Sequence, residues 1–389
     1  MRAASIPRSS EARGNALSIC ASGSRPTSVS QNTHDFRSLP ARVLNGGSWR
    51  RIRTHRLDSR DTSSFLDFAE QVLSTSSTPA HVRVIDNQRY TELLARESEH
   101  WGNVQPDAGN PQIWHDVRLF EIFFSARYRH FVQRIVSCGP SVLELGCGEG
   151  NLALELAQRN LRVAAVDLSP DRIERARRKA RELPLDHPPR FDVGDLNSLT
   201  LPSGEFDCII AHDVLHHILK IDRLCEEVKR SLKNGGTFLV MDYVGMGFIR
   251  KLLAALLFAV LPTHQTYRDK WKLRHRLPAF IATERRKREA LANGLQKALH
   301  HESPFEEISQ SSIVREISKR FSIVECATYS PFFFYLAPKV RLPESVRYSA
   351  ARLFFILDEM LLRLRLSKGA YVFIEARKPD VESDPGISN

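Results

Sequence analysis

Val142-Leu143-Glu144-Leu145-Gly146-Cys147-Gly148-Glu149-Gly150-Asn151 decides how this chain is read, because an apolar run breaks into alternating glycines and then opens a helix with apolar periodicity. That order predicts a strand, a tight turn and a helix N-terminus. Glycine tolerates φ > 0 and has no side chain to hold a ligand away, and a helix start presents backbone N–H groups without intrahelical partners. The turn is therefore expected to bind a nucleotide-like ligand through its backbone. A dinucleotide fingerprint, G-x-G-x-x-G/A, counted from Gly146 needs its third small residue at position 151, where the chain has Asn151; the third glycine comes one residue early, at Gly150.

Four further strand patterns follow. Leu161 to Val166 is a nearly continuous apolar run ending in Asp167, and Leu168-Ser169-Pro170 then signals a helix start. A carboxylate at the mouth of that strand can accept both hydroxyls of a ribose. Arg190 to Leu196 reads as a third strand closed by Asp195, and Phe206 to His212 as a fourth, with Asp213-Val214-Leu215-His216-His217 beyond it. Leu232 to Asp242 closes a helix with glycines and opens a fifth. Strands alternating with helical segments predict a parallel, doubly wound sheet. Asp207, at the start of its strand, is expected to be structural, and Cys147 a small filler.

The pattern E-x-G-x-G-x-G, with acidic residues at the ends of the next two strands, resembles motif I and its companions in the class I S-adenosylmethionine (SAM)-dependent methyltransferases, nearest the ubiquinone/menaquinone-type, type 11/12 domains. The resemblance covers about Val84 to Lys378. It implies a Rossmann-like seven-stranded sheet, five parallel strands plus a C-terminal antiparallel hairpin, with extra helices. It also implies SAM as cofactor, held by Glu144, Gly146, Cys147, Gly148, Gly150, Asn151, Asp167, Leu168, Asp195, Leu196 and His212, with Asp195 toward the adenine amino group. The reaction implied is in-line displacement of the sulfonium methyl by an acceptor, so the protein supplies alignment, dryness and, for a hydroxyl, a base. His216 and His217 lie on the carboxyl side of the fourth strand, and imidazole has a suitable pKa for that role. Their other reading is a cap and packing pair. Asp213, His216 and His217 lack a further metal ligand, and no metal is expected.

The implied organisation is a tail over 1–80, cap helices over 84–138, a cofactor-binding core over 141–243, a lid-like insertion over 245–302, a closing helix and strand hairpin over 303–378, and a polar tail over 379–389. Of the formal net charge of +11, +8 lies between Met1 and Arg60, where eleven arginines face three carboxylates. The rest is near neutral, so no nucleic-acid partner is expected. The Arg- and Ser-rich start reads as a disordered or non-native tail, with a transit peptide as the other reading, and residues before about Thr75 are expected to be dispensable. The six cysteines show no paired spacing, which fits a reducing, cytoplasmic compartment.

Ahead of the first strand, Asp86 to Glu99 and Val117 to Ile135 are helical in pattern, and Trp101, Tyr128 and Arg129 are candidates for covering the cofactor. Past the fifth strand, Phe248 to Leu261 is apolar for about 14 residues, short of the ~20 that cross a bilayer. It reads as a lid over the acceptor, a helix lying in a membrane interface, or core. A basic stretch around Glu284 to Leu299 follows, then Ser303-Pro304-Phe305-Glu306, a helix over Ile313 to Phe321, a strand over Phe321 to Cys326, a long helix over Val346 to Leu364 and a strand over Ala370 to Ala376. The expected partner is a small-molecule acceptor, such as a lipid-linked glycan intermediate or a prenylated quinone, with peripheral membrane contact as a further reading. A nicotinamide oxidoreductase and a non-catalytic interaction protein are the alternatives of other classes.

Overall fold

The computed structural model describes residues 87–103, 113, 116–263, 266–268, 270, 303, 305 and 308–379. All belong to one compact unit, Arg56–Asn389. The expected N-terminal tail, the basic stretch around Glu284 to Leu299, Pro304, Glu306 and the residues after Pro379 lie outside the described residues.

Seven strands form one sheet: β1 (Ser141–Leu145), β2 (Arg162–Asp167), β3 (Arg190–Val193), β4 (Phe206–His212), β5 (Leu232–Tyr243), β6 (Ser322–Tyr329) and β7 (Tyr371–Arg377). Their order is β3-β2-β1-β4-β5-β7-β6. The first five are mutually parallel, and β7 runs antiparallel to both β5 and β6. Strand order reverses on either side of β1, so the carboxyl ends of β1 and β4 open the crevice where ligands bind in such sheets.

Period-two alternation sorts the strand side chains into two cores. Val142, Cys208, Ile210, Leu239, Met241 and Phe373 face one layer, and Leu143, Leu145, Ile209, Ala211, Phe238 and Val240 face the other. The first layer is covered by α2 (Val117–Phe123), α3 (Ser125–Cys138), α4 (Asn151–Ala157) and α5 (Pro170–Arg181), the second by α6 (Ile221–Ser231) and α8 (Ile313–Ser318). Helix α5 carries its own start signal: Ser169 caps Arg172 N–H, Pro170 opens the first turn, Asp171 sits at its positive end and Lys179 and Arg181 at its negative end.

The single helix expected over Val117 to Ile135 is two helices. The chain breaks at Phe124, whose φ of −123° is not helical and whose fully buried ring sits edge-on to Tyr329, Phe334 and Tyr371. Tertiary packing of one aromatic overrode the local periodicity. The expected third strand also ends early, at Val193, which leaves Asp195 in the following loop. Asp207 is structural as expected, accepting from Ser141 N–H at 3.0 Å and from Lys233 Nζ at 2.7 Å.

Helix α7 (Phe248–Val260) follows β5, and α9 (Phe333–Leu336) and α10 (Glu344–Arg363) connect β6 to β7. Phe248 to Leu261 is core on one face only: Ala254 is buried and Leu257 and Leu261 pack on the first core layer, while Ile249, Leu253, Leu256 and Val260 are exposed. The remaining helix, α1 (Asn87–Asn103), packs across α5 near the carboxyl ends of the strands.

Candidate active site

The glycine turn is built as its spacing predicts. Gly146, Gly148 and Gly150 have φ of +69°, +53° and +73°, values that side-chain-bearing residues rarely adopt. A Cβ on Gly146 would collide with Val214, and one on Gly150 would lie 2.7 Å from the Phe191 ring. Gly148 is different: nothing lies within 3.4 Å of its Cβ position, the nearest group being the Arg172 guanidinium at 3.5 Å. Cys147 is buried, and burial together with the Glu144 and Asp167 carboxyls pushes its thiol pKa up, so it is inert filler.

Asp167, at the end of β2, braces this turn. One oxygen accepts from Gly148 N–H at 2.8 Å and the other from Ser169 N–H at 2.9 Å. A carboxylate offers about four lone-pair sites, so two stay open for hydroxyl donors. Asn151, the first residue of α4, is exposed and accepts from Lys179 Nζ at 2.9 Å through its side chain. Leu168 contributes its carbonyl to Ser98 Oγ, and Leu196 is buried in the second core layer.

Two buried polar atoms at the strand ends have no hydrogen-bond partner: Glu144 Oε2 on β1 and His212 Nε2 on β4. Burial, helped by the charge of Asp167, pushes the Glu144 carboxyl up to about 8. The His212 ring lies 5.8 Å from each of the rings of Tyr128 and Phe131. An orphaned carboxyl oxygen and ring nitrogen beside a glycine cradle suit a ligand rich in donors and cationic groups, which is how the residues present fit SAM.

Helix α1 covers this half. Tyr90 Oη donates to Asp195 at 2.6 Å, and Asp195 also accepts from Ser198 Oγ and from the backbone and side-chain N–H groups of Asn197. Trp101 stands beside the Arg172 guanidinium, 5.2 Å from its ring centroid. Trp101 and Tyr90 are thus the α1 side chains that meet Arg172 and Asp195 at this end of the sheet, and sequence reasoning singled out only Trp101. Tyr128 instead donates to Glu155 from α3, and Arg129 is exposed.

Beyond β4, Asp213 has φ of +50° and His216 and His217 occupy a single 3-10 turn, with ring centroids 4.2 Å apart. Each histidine has its own carboxylate. His216 Nδ1 lies 2.6 Å from Asp242 Oδ1, and Asp242 Oδ2 accepts from Val214 and Leu215 N–H at 3.0 and 2.7 Å. Burial opposes ionisation of Asp242, yet His216 and those two amides outweigh it and hold its pKa below the ordinary value. His217 Nδ1 lies 3.2 Å from Glu97 Oε1 on α1. Glu97 is buried and also accepts from Trp101 Nε1, Ser303 Oγ and Phe305 N–H; burial opposes its ionisation, but His217, then Trp101 and Ser303, outweigh it and lower its pKa. Neither pairing was legible locally. Asp242 is visible at the end of β5 but its partner is 26 residues back, and Glu97 shows only helical composition around it.

Tyr243 stands edge-on to His216, with ring centroids 6.1 Å apart, and begins a wall of aromatic rings. Tyr243 stands 5.2 Å from Tyr371, which stands 5.6 Å from Tyr329. The buried Tyr329 hydroxyl has no hydrogen-bond partner, and burial and the charge of nearby Asp213 raise its pKa.

A methyltransferase-domain family model matches residues 143–240. Ajmaline N-methyltransferase of Rauvolfia serpentina is 25% identical over 153 residues, 39% of this chain and 53% of that protein. Sterol 24-C-methyltransferase erg6 of Aspergillus fumigatus is 31% identical over 122 residues, 31% of this chain and 32% of that one. The match thus spans about half of the first relative and a third of the second. The crystal structure of an S-adenosylmethionine-dependent methyltransferase from Mesorhizobium loti aligns at 18% identity over 65% of this chain and 98% of that chain, with a TM-score of 0.37.

Proposed function

Because this chain belongs to the class I SAM-dependent methyltransferases, we propose that it moves a methyl group from SAM to a small-molecule acceptor carrying a hydrophobic portion, with His216 as the base for a hydroxyl acceptor. The observation that carries this reading is adjacency. The glycine turn braced by Asp167 and the His216–Asp242 pair rise from neighbouring strands, β1 and β2 on one side and β4 and β5 on the other, at one end of the sheet.

SAM bound there supplies a methyl on a positively charged sulfur, electrophilic enough to need alignment and dryness more than activation. The chain's own residues provide those. Gly148 admits the ligand to the backbone, Glu144 and His212 offer the two orphaned polar atoms, Asp167 keeps lone pairs for the ribose, and Asp195 and Leu196 lie toward the adenine. Asp242 accepts the Nδ1 proton of His216, so the neutral ring keeps its lone pair on Nε2, the atom that takes a hydroxyl proton. Asp242 then stabilises the imidazolium that results. His217, tied to Glu97 and edge-on to Trp101 at 5.2 Å, links the acceptor side to helix α1. The tyrosine wall supports the hydrophobic part of the acceptor, and the Tyr329 hydroxyl and Asp213 offer a polar contact within it. A lipid-linked glycan intermediate or a prenylated quinone has this mixed character.

Calorimetry with SAM and with NAD tests the cofactor: binding of SAM alone is expected, and binding of NAD alone overturns the reading. Release of S-adenosylhomocysteine when the purified chain is given SAM and a metabolite extract tests the reaction. SAM binding with no release across extracts from its native source would assign the chain to the non-catalytic class.

A further inference from the structure

Helices α7 and α10 each leave an apolar stripe facing solvent, and no residue of either stripe is among the site residues described above. On α7, Ile249, Leu253, Leu256 and Val260 fall at i, i+4, i+7 and i+11 and are 49–72% exposed. The opposite side holds the buried Ala254 and the partly buried Leu257 that pack on the core. Along α10 and at its C-cap, Leu353, Ile356, Met360 and Leu364 fall at i, i+3, i+7 and i+11 and are 49–62% exposed. Single exposed apolar residues are ordinary, but two complete stripes on neighbouring helices are not.

The two helices are joined. Both pack on α9, whose Phe333 ring stacks on Phe354 of α10 with centroids 5.0 Å apart. The chain leaving α7 bonds the chain entering α10: Arg341 N–H donates to the Pro262 carbonyl at 2.7 Å and Thr263 bridges Val340. Arg250, near the start of α7, donates to the carbonyls of Pro331 and Lys368, bracing the far end.

Charge identifies what covers them. Between Glu344 and Lys368 the chain has five basic residues against three carboxyls. One of those carboxyls, Asp358, is buried against the backbone amides of Phe332 and Phe333, with its pKa raised to about 7 by burial. Arg352 and Arg363 on α10, and Arg365 and Lys368 just past its end, are exposed. An interface between two copies related by a two-fold axis sets each such patch against itself, arginine against arginine. A surface of anionic lipid headgroups complements the arginines and takes up the apolar stripes beneath them. Helix α7 has 13 residues, about 20 Å at 1.5 Å per residue, and no described helix is long and apolar enough to cross a membrane, so the contact lies along the surface.

We propose that α7 and α10 form a peripheral docking face for an anionic bilayer. The full-length chain is expected to sediment with phosphatidylcholine–phosphatidylserine vesicles and not with phosphatidylcholine alone. Leu253→Glu with Leu256→Glu, and separately Ile356→Glu with Met360→Glu, are each expected to weaken that partition by about tenfold or more with the melting temperature retained, since all four side chains face solvent. Leu256→Trp provides a readout that needs no charge in the stripe: its emission is expected to shift to the blue on anionic vesicles. Absence of sedimentation with either vesicle, a Leu256→Trp spectrum that vesicles leave unchanged, or a dimer in solution that the glutamate pairs dissolve while vesicles bind nothing, each overturns the proposal. SAM binding is measured alongside, so loss of docking is separated from failure of the methyl-transfer reading.

Discussion

The two halves of the strand rim are made differently. The half proposed for the cofactor is mostly backbone: three glycines at positive φ, the amides of Gly148 and Ser169, and one carboxylate that braces them, all within the span from Gly146 to Ser169. The half proposed for the acceptor is side chains drawn from afar: His216 meets Asp242 across 26 residues, and Glu97, on a helix ahead of the whole sheet, meets His217 and Ser303. A backbone cradle depends on conformations few residues allow, so it tolerates little substitution and serves one ligand. A constellation of side chains can be altered residue by residue, which suits the half that selects the acceptor.

The sharpest break between the halves should come from Asp242→Asn. The amide cannot accept the His216 Nδ1 proton as a carboxylate does, and the misplaced tautomer is expected to lower turnover by about 10²- to 10⁴-fold while SAM affinity changes less than about twofold. Turnover read by S-adenosylhomocysteine release, beside calorimetry, checks both. A purely structural role for Asp242 would lower affinity and melting temperature together and leave the pH profile of the residual activity unmoved. Next in size is Asp167→Ala, which removes the brace of the turn as well as the ribose acceptor. SAM affinity is expected to fall tenfold to a hundredfold, about 1.4 to 2.8 kcal/mol. Unchanged affinity in the folded variant would detach the cofactor from this end of the sheet.

The same contrast explains what could be read in advance. The glycine spacing, Asp167 and the five alternating strands are local patterns, and local rules for turns, caps and period-two burial reach them. The break at Phe124 was hidden because Val117 to Ile135 keeps helical periodicity, and the packing that sets it is with Tyr329, Phe334 and Tyr371 far along the chain. Glu97 and Tyr90 were hidden because a carboxylate and a phenol on an amphipathic helix look like solvated surface until the helix is docked. For Phe248 to Leu261, composition left lid, interface and core open; the fold puts Ala254 and Leu257 on the core and leaves Ile249, Leu253, Leu256 and Val260 exposed.

A smaller effect separates the halves by pH. Glu144 has its carboxyl pushed up to about 8 by burial, whereas in the unfolded chain it titrates near 4.3. Between those values the folded state holds a proton that the unfolded state has released, so stability present below about pH 4.3 is lost as pH rises through about 8. Asp242 and Glu97 have the opposite sign, contributing stability that is lost as pH falls below their lowered values. Glu144→Gln should therefore flatten the decline by about 1 kcal/mol per pH unit between pH 5 and 8 relative to the native chain, measured by urea unfolding at both ends of that range. Asp358, pushed up to about 7, acts equally in both proteins and drops out of the difference. An identical decline in both would show that Glu144 is ionised when folded.

The smallest effect tests where the cover meets the cofactor. The Asp195 carboxylate already accepts four donors, from Tyr90, Ser198 and two groups of Asn197, which fills about all the lone-pair sites a carboxylate has. A contact between Asp195 and adenine therefore requires one donor to yield, and Tyr90 is the one carried by the covering helix. Tyr90→Phe frees that site and keeps the ring, which stacks 6.4 Å from Phe305 and lies beneath Lys220 at 5.7 Å. If the adenine uses Asp195, SAM should bind as well or up to about threefold more tightly, with faster association as α1 opens at lower cost. If affinity instead falls, Tyr90 itself holds the cofactor and Asp195 serves only to anchor the helix, which would move the adenine contact from the loop after β3 to the cover.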